Sequence, residues 1–119
     1  GWEFVAPLLT ARRFAVAVTF NRKIYVMGGD GNYGDFKPVE CYNPDSNSWS
    51  KCAAMAYDHW LPGVAAHNGH IYIGGDWCSS QAVERYDPQR DTWSQICSLQ
   101  VNPWNGRGFA SLDNKLWAI

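Results

Sequence analysis

The sequence predicts an all-β fold of repeated four-stranded units, on the strength of three recurrences. Trp2, Trp49 and Trp93 return after 47 and then 44 residues, each six residues before a bulky apolar residue, Leu8, Met55 and Leu99. The run Val39, Glu40, Cys41, Tyr42, Asn43, Pro44 returns as Val83, Glu84, Arg85, Tyr86, Asp87, Pro88. The run Ile24, Tyr25, Val26, Met27, Gly28, Gly29 returns as Ile71, Tyr72, Ile73, Gly74, Gly75, one residue shorter. A period of about 40–50 residues that carries a double glycine, a Tyr-bearing strand and a later Trp is the pattern of a β-propeller. The expected architecture is a partial propeller: two complete blades with incomplete blades at both ends. Residues 1–8 close a preceding blade, 9–55 and 56–99 are whole repeats, and 100–119 begin another. An open arc of this kind reads as a piece of a larger ring.

Each blade is expected to contain strands a to d in order. Phe14–Phe20 alternates small and β-branched residues, which suits strand a. Its counterpart Gly63–His67 runs into Asn68 and Gly69 and then His70–Ile73, and Asn-Gly between apolar runs is a strong hairpin signal. Phe109–Leu112 and Leu116–Ile119 repeat this a–b plan around Asp113 and Asn114. Strand b ends at the double glycine, which tolerates positive φ and close approach by other backbone. Strand c follows at Val39–Tyr42 and Val83–Tyr86, and Asn43-Pro44 and Asp87-Pro88 supply the acceptor and preset φ of a turn. Strand d carries the Trp, expected to be buried against the next blade, and Trp2–Val5 is expected to form a leading d strand. The residue missing from the second unit must be absorbed near Tyr72–Gly74 by a bulge, a slipped register or a shortened strand.

Composition narrows the partner class. With ten Lys and Arg scattered among eleven acids and a net charge of −1, there is no basic stripe for nucleic acid. No apolar run reaches the ~18 residues of a membrane-spanning helix. Cys41, Cys52, Cys78 and Cys97 show no C-x-x-C pair and no zinc spacing, and are read as reduced thiols of a cytoplasmic protein. His67 and His70 flank the Asn68-Gly69 turn without an identifiable third ligand, so no metal and no cofactor are expected. Asp30 and Asp76 follow the double glycines in both units and are read as loop caps rather than general bases.

Arg12, Arg13, the run Ile24–Gly29, the run Val39–Pro44, Trp49 and Met55 together resemble a kelch repeat, and the second unit repeats the match. The resemblance is closest to the kelch domains of BTB-kelch proteins. It implies a non-enzymatic protein-interaction propeller, the substrate-recognition part of an adaptor whose upstream domains bind a cullin-3 type ubiquitin ligase scaffold. Alternatives from the same resemblance are an actin-binding scaffold, which would place the protein at the cytoskeleton, and an enzyme of the galactose oxidase kind. Gly28, Gly29, Tyr42, Trp49, Gly74, Gly75, Tyr86 and Trp93 are the structural positions of the repeat. In the second unit Arg12-Arg13 gives way to Trp60-Leu61, and in the third to Asn105-Gly106.

The d–a and b–c connections of a propeller emerge on one face. Counted from the apolar anchors, Arg13, Trp60 and Trp104 hold one equivalent position in the d–a connections, and Tyr33, Phe36 and Trp77 lie in the b–c connections. With Arg12, these residues are expected to bind a protein or peptide, because Trp, Tyr and Arg combine large contact area with a polar handle. Asp58, His59, Asn102 and Arg107 are expected to form the polar rim.

Overall fold

The computed structural model describes residues 1–31, 34–35, 37–59, 62–74, 82–98 and 109–118. The first blade is an antiparallel sheet in the order β1 (Val16–Phe20), β2 (Lys23–Met27), β5 (Val39–Asn43), β6 (Ser48–Cys52). A two-residue ribbon, β3 (Asp30–Gly31) with β4 (Gly34–Asp35), stands in its b–c connection. The second blade has β7 (Gly63–His67), β8 (His70–Gly74), β9 (Ala82–Asp87) and β10 (Thr92–Ser98) in the same arrangement. A hairpin of β11 (Phe109–Leu112) and β12 (Lys115–Ala118) follows. The first strands β1, β7 and β11 lie against one another, as the innermost strands of successive blades do. There is no helix among the described residues, and the expected all-β partial propeller is what forms.

Local chemistry accounts for the turns. All three a–b hairpins place two residues at positive φ: Asn21 and Arg22, Asn68 and Gly69, Asp113 and Asn114. That geometry matches the right-handed twist of the flanking strands. In the c–d turns the Asn43 and Asp87 side chains accept the N–H two residues on, from Asp45 and Gln89, both at 3.0 Å. The flanking Asn47 and Asp91 take positive φ, which Asx residues tolerate.

The core lies between the two blades. Tyr25, Met27, Val39 and Cys41 come from the first blade, Ile71, Ile73 and Tyr86 from the second, and Met55 from the segment joining them. Ile71 and Ile73 are fully buried there, whereas Ile24 and Val26, their counterparts on the far side of the first blade, are only half-buried. A face becomes dry only when a preceding blade covers it.

Three expectations change. Strand a begins at Val16 rather than Phe14, because Phe14 has a φ of 56° and cannot continue a ladder. Trp2–Val5 forms no strand, since within this chain no c strand lies beside it, and Trp2 and Phe4 are fully exposed. The Trp side chains reach back to the preceding segment, not onward to the next blade. Trp49 Nε1 donates to the Ala6 carbonyl at 2.7 Å and Trp93 Nε1 to the Ala53 carbonyl at 2.8 Å. Asn47 and Asp91 complete this latch, accepting the N–H of Ala6 (2.9 Å) and Ala53 (2.8 Å) and the hydroxyls of Tyr42 and Tyr86. Each Tyr ring also packs on its Trp, with centroids 5.0 and 4.9 Å apart.

The missing residue is absorbed by a shorter ladder. Ile71, Tyr72 and Ile73 face Tyr86, Arg85 and Glu84, in the register by which Ile24, Tyr25 and Val26 face Tyr42, Cys41 and Glu40. The fourth pair, Met27 with Val39, has no counterpart, and Gly74 stands in Met27's place opposite strand a. The bulge in this blade lies elsewhere, between Gln95 and Cys97 of β10.

Candidate functional site

Each blade buries a glutamate in the middle of its c strand, and the preceding d–a connection wraps around it. Glu40 is 1% exposed; its Oε1 accepts the Leu9 N–H at 2.6 Å and its Oε2 the Arg12 guanidinium at 2.7 Å. Arg12 also donates through Nη1 to the carbonyl of Pro38 at 2.9 Å and, more weakly, to that of Gly28 at 3.4 Å. One side chain thus ties the d–a connection, strand c and the b–c connection together. Burial pulls the Arg12 guanidinium below its ordinary pKa, opposed by its hydrogen bond to Glu40 and by that residue's charge.

Glu84 repeats the device with different donors. Its Oε1 accepts the Ala56 N–H at 2.9 Å, and its Oε2 accepts the Tyr57 N–H at 3.3 Å and meets His59 Nε2 at 2.5 Å. Facing a carboxylate, that ring nitrogen must carry the hydrogen. The His59 carbonyl in turn accepts the Gly29 N–H of the first blade at 2.9 Å, so His59 bridges the blades.

The double glycine is where these backbones meet. Gly28 and Gly29 have φ of 72° and 95°, and a Cβ on Gly28 would lie 2.7 Å from the His59 carbonyl oxygen. A Cβ on Gly29 would lie 2.4 Å from the carbonyl oxygen of Arg13. No side chain fits at either position.

The predicted site residues divide accordingly. Arg12 and His59, expected on the binding face and its rim, have side chains turned inward, 1% and 0% exposed, because each supplies the donor its buried glutamate requires. Their matching roles make His59 the counterpart of Arg12, so Arg13 aligns with Trp60, as counting from the apolar anchors indicates, and the pairing of Arg12-Arg13 with Trp60-Leu61 is off by one. Arg13 is exposed, its guanidinium 5.6 Å from the Phe14 ring centroid, and Asp58 is half-buried. Tyr33, Phe36, Trp60, Trp77, Asn102, Trp104, Arg107 and the structural Gly75 lie outside the described residues.

His67 and His70 each have a partner of their own, the Ser111 hydroxyl at 2.7 Å and the Asn68 carbonyl at 3.0 Å. Among the described residues no group of three or more His, Cys, Asp or Glu could hold a metal ion.

Sequence reasoning missed the two glutamates and Phe14. The signal for the glutamates was present: a charged residue returning at the same place within an apolar strand asks for a buried partner. Nothing in the sequence marked Phe14, since a positive φ at an aromatic residue has no local signature.

Comparison with known proteins agrees with this architecture. The kelch motif family matches residues 11–56 and 61–100. Human Kelch-like protein 33 is 34% identical over 74 residues, which cover 62% of this chain and 14% of that protein. Kelch-like protein 31 of Danio rerio is 44% identical over 54 residues, 42% of this chain and 8% of that protein. Kelch-like ECH-associated protein 1B of Danio rerio is 35% identical over 80 residues, 62% of this chain and 14% of that protein. The chain therefore spans only a small part of the length of these relatives. Each motif match frames one of the two four-stranded sheets, and the chain belongs to the kelch repeat family.

Proposed function

We propose that the chain forms part of a protein-recognition surface, and that it serves in the substrate-binding propeller of a cytoplasmic adaptor for a cullin-3 type ubiquitin ligase. One observation carries the recognition reading: the d–a connections are pinned from within by Glu40 and Glu84, while side chains beside the pins stay exposed. Leu9, Phe14 and Tyr57 are 52%, 50% and 38% exposed, and Arg13 is exposed with them. A surface held rigid before its partner arrives loses less entropy on binding. By sequence, Trp60, Trp77 and Trp104 with Tyr33 and Phe36 add the aromatic anchors that dominate protein interfaces. Kelch-like relatives support the adaptor assignment, which concerns the whole protein.

The test is affinity capture with the full-length protein carrying these repeats. Cullin-3 is expected to copurify, and the captured partner to be ubiquitylated in a reconstituted reaction. Trp60→Ala is expected to weaken partner capture by ~2 kcal/mol, with cullin-3 capture retained. Cosedimentation with filamentous actin, without cullin-3, would overturn the adaptor reading in favour of a scaffold.

A further inference from the structure

We infer that the end of the blades opposite the double glycines is a separate interaction surface, whose basic inner rim takes an acidic segment of a partner protein. This surface goes beyond the recognition reading above and does not depend on it. The double glycines and the d–a connections meet at one end of the blades, and the a–b hairpins turn at the other end of five-residue strands, about 17 Å away. Strands β1, β7 and β11 lie against one another, so the three turns that follow them share one rim. The second turn is clipped to the third hairpin, because His67 Nδ1 meets the Ser111 hydroxyl at 2.7 Å.

Charge is sorted radially on this end. Arg22, Lys23 and Lys115 stand exposed at the inner turns, with Asp113 as the one carboxylate beside them. None of these three cations has an ion-pair partner among the described residues. The c–d turns farther out reverse the sign: Asp45, Asp87 and Asp91 stand against Arg90, which lies 3.8 Å from Asp87. A chain of net charge −1 thus places a basic centre inside an acidic border. An anionic segment is drawn to the centre and repelled by the border, which fixes where it lies. Three cations on separate turns suit spaced carboxylates better than the continuous charge of a nucleic acid. Arg22 supplies an independent observation. The second hairpin makes its turn with Asn68 and Gly69, at φ of 47° and 79°, and a Cβ on Gly69 would meet nothing within 4 Å. A side chain at this place therefore gains no packing. The first hairpin nevertheless carries arginine there, at a φ of 64° that glycine would take without strain. Strain retained to display a cation points to binding.

The experiment measures fluorescence anisotropy of labelled octaglutamate on the full-length protein, with octaglutamine and octathymidylate as controls, together with the melting temperature. Octaglutamate should bind and octaglutamine should not, and affinity should fall steeply as salt rises from about 0.02 to about 0.2 M. Arg22→Gly and Lys115→Gln should each weaken binding about threefold or more, and Arg22→Gly should melt no lower than the wild type. Arg90→Gln, on the acidic border, should change binding less than either. An equal loss from Arg90→Gln would reveal a general charge effect and overturn the inference. A lower melting temperature for Arg22→Gly would make the arginine part of the fold and overturn it too. Octathymidylate bound as tightly as octaglutamate would overturn the choice of an acidic protein segment in favour of nucleic acid. Absence of octaglutamate binding at low salt would overturn the inference and leave the reading of the d–a face untouched.

Discussion

Replacing Glu84 with alanine should be among the most destabilising single changes in the chain. The carboxylate serves three donors: the His59 ring, which is fully buried, and the backbone N–H groups of Ala56 and Tyr57 at the blade surface. A buried donor left unsatisfied costs about 1–3 kcal/mol, and the two partly buried amides, which water can reach after the change, belong at the low end of that range. The expected loss is therefore about 3–5 kcal/mol, a large share of the ~5–15 kcal/mol typical of a folded domain. Glu84→Gln keeps one accepting oxygen but turns an amide toward other donors, and should cost roughly 1–2 kcal/mol. Urea unfolding with linear extrapolation measures both. A double-mutant cycle with His59→Ala should give a coupling of at least about 1 kcal/mol, since the ring and the carboxylate share one buried contact. A Glu84→Ala loss below about 1 kcal/mol would refute the argument that this carboxylate organises the connection.

The remaining expectations test other parts of the framework. Gly29→Ala should cost at least about 2 kcal/mol in urea unfolding, because a Cβ at φ 95° adds left-handed strain to overlap with the Arg13 carbonyl. Trp93→Phe should destabilise more than Trp49→Phe: both lose an indole hydrogen bond worth about 1 kcal/mol, but only Trp93 packs against the interblade core. Stability should fall as pH rises above about 9–10. Burial raises the pKa of the Cys52 thiol and of the Tyr25 and Tyr86 phenols, with Asp91 and Cys52 adding to the effect at Tyr86 and Cys41 at Tyr25. Groups whose folded pKa is raised stabilise the fold fully below their unfolded values, and that contribution disappears as pH climbs toward the folded ones. Thermal melts between pH 7 and about pH 11 should show the decline, and Tyr86→Phe should flatten it.

The architecture was legible because it is written periodically. The Trp spacing, the double glycines and the Asx-Pro turns each place one element, and β5, β7, β9 and all three a–b hairpins lie where those signals put them. The register of the shortened unit was not legible, since a deletion next to two glycines can be absorbed in several ways and only the Glu84 pairing with Ile73 decides among them. The direction in which the tryptophans bind was also hidden, because an indole's partner lies about 40 residues away along the chain. At the candidate site, residue type misled. Arginine and histidine read as exposed polar groups until the buried glutamates that need them are seen.

The meeting of two connections at Gly28 and Gly29 restricts how such a surface can diversify. The Arg13 carbonyl presses on this glycine pair from one blade and the His59 carbonyl from the next. Inserting or deleting a residue in either connection would displace the shared glycines and so shift the neighbouring blade's rim. Exchanging the outward side chains disturbs neither carbonyl. Substitution of an outward side chain such as that of Arg13 therefore leaves this frame in place, whereas a change in connection length does not.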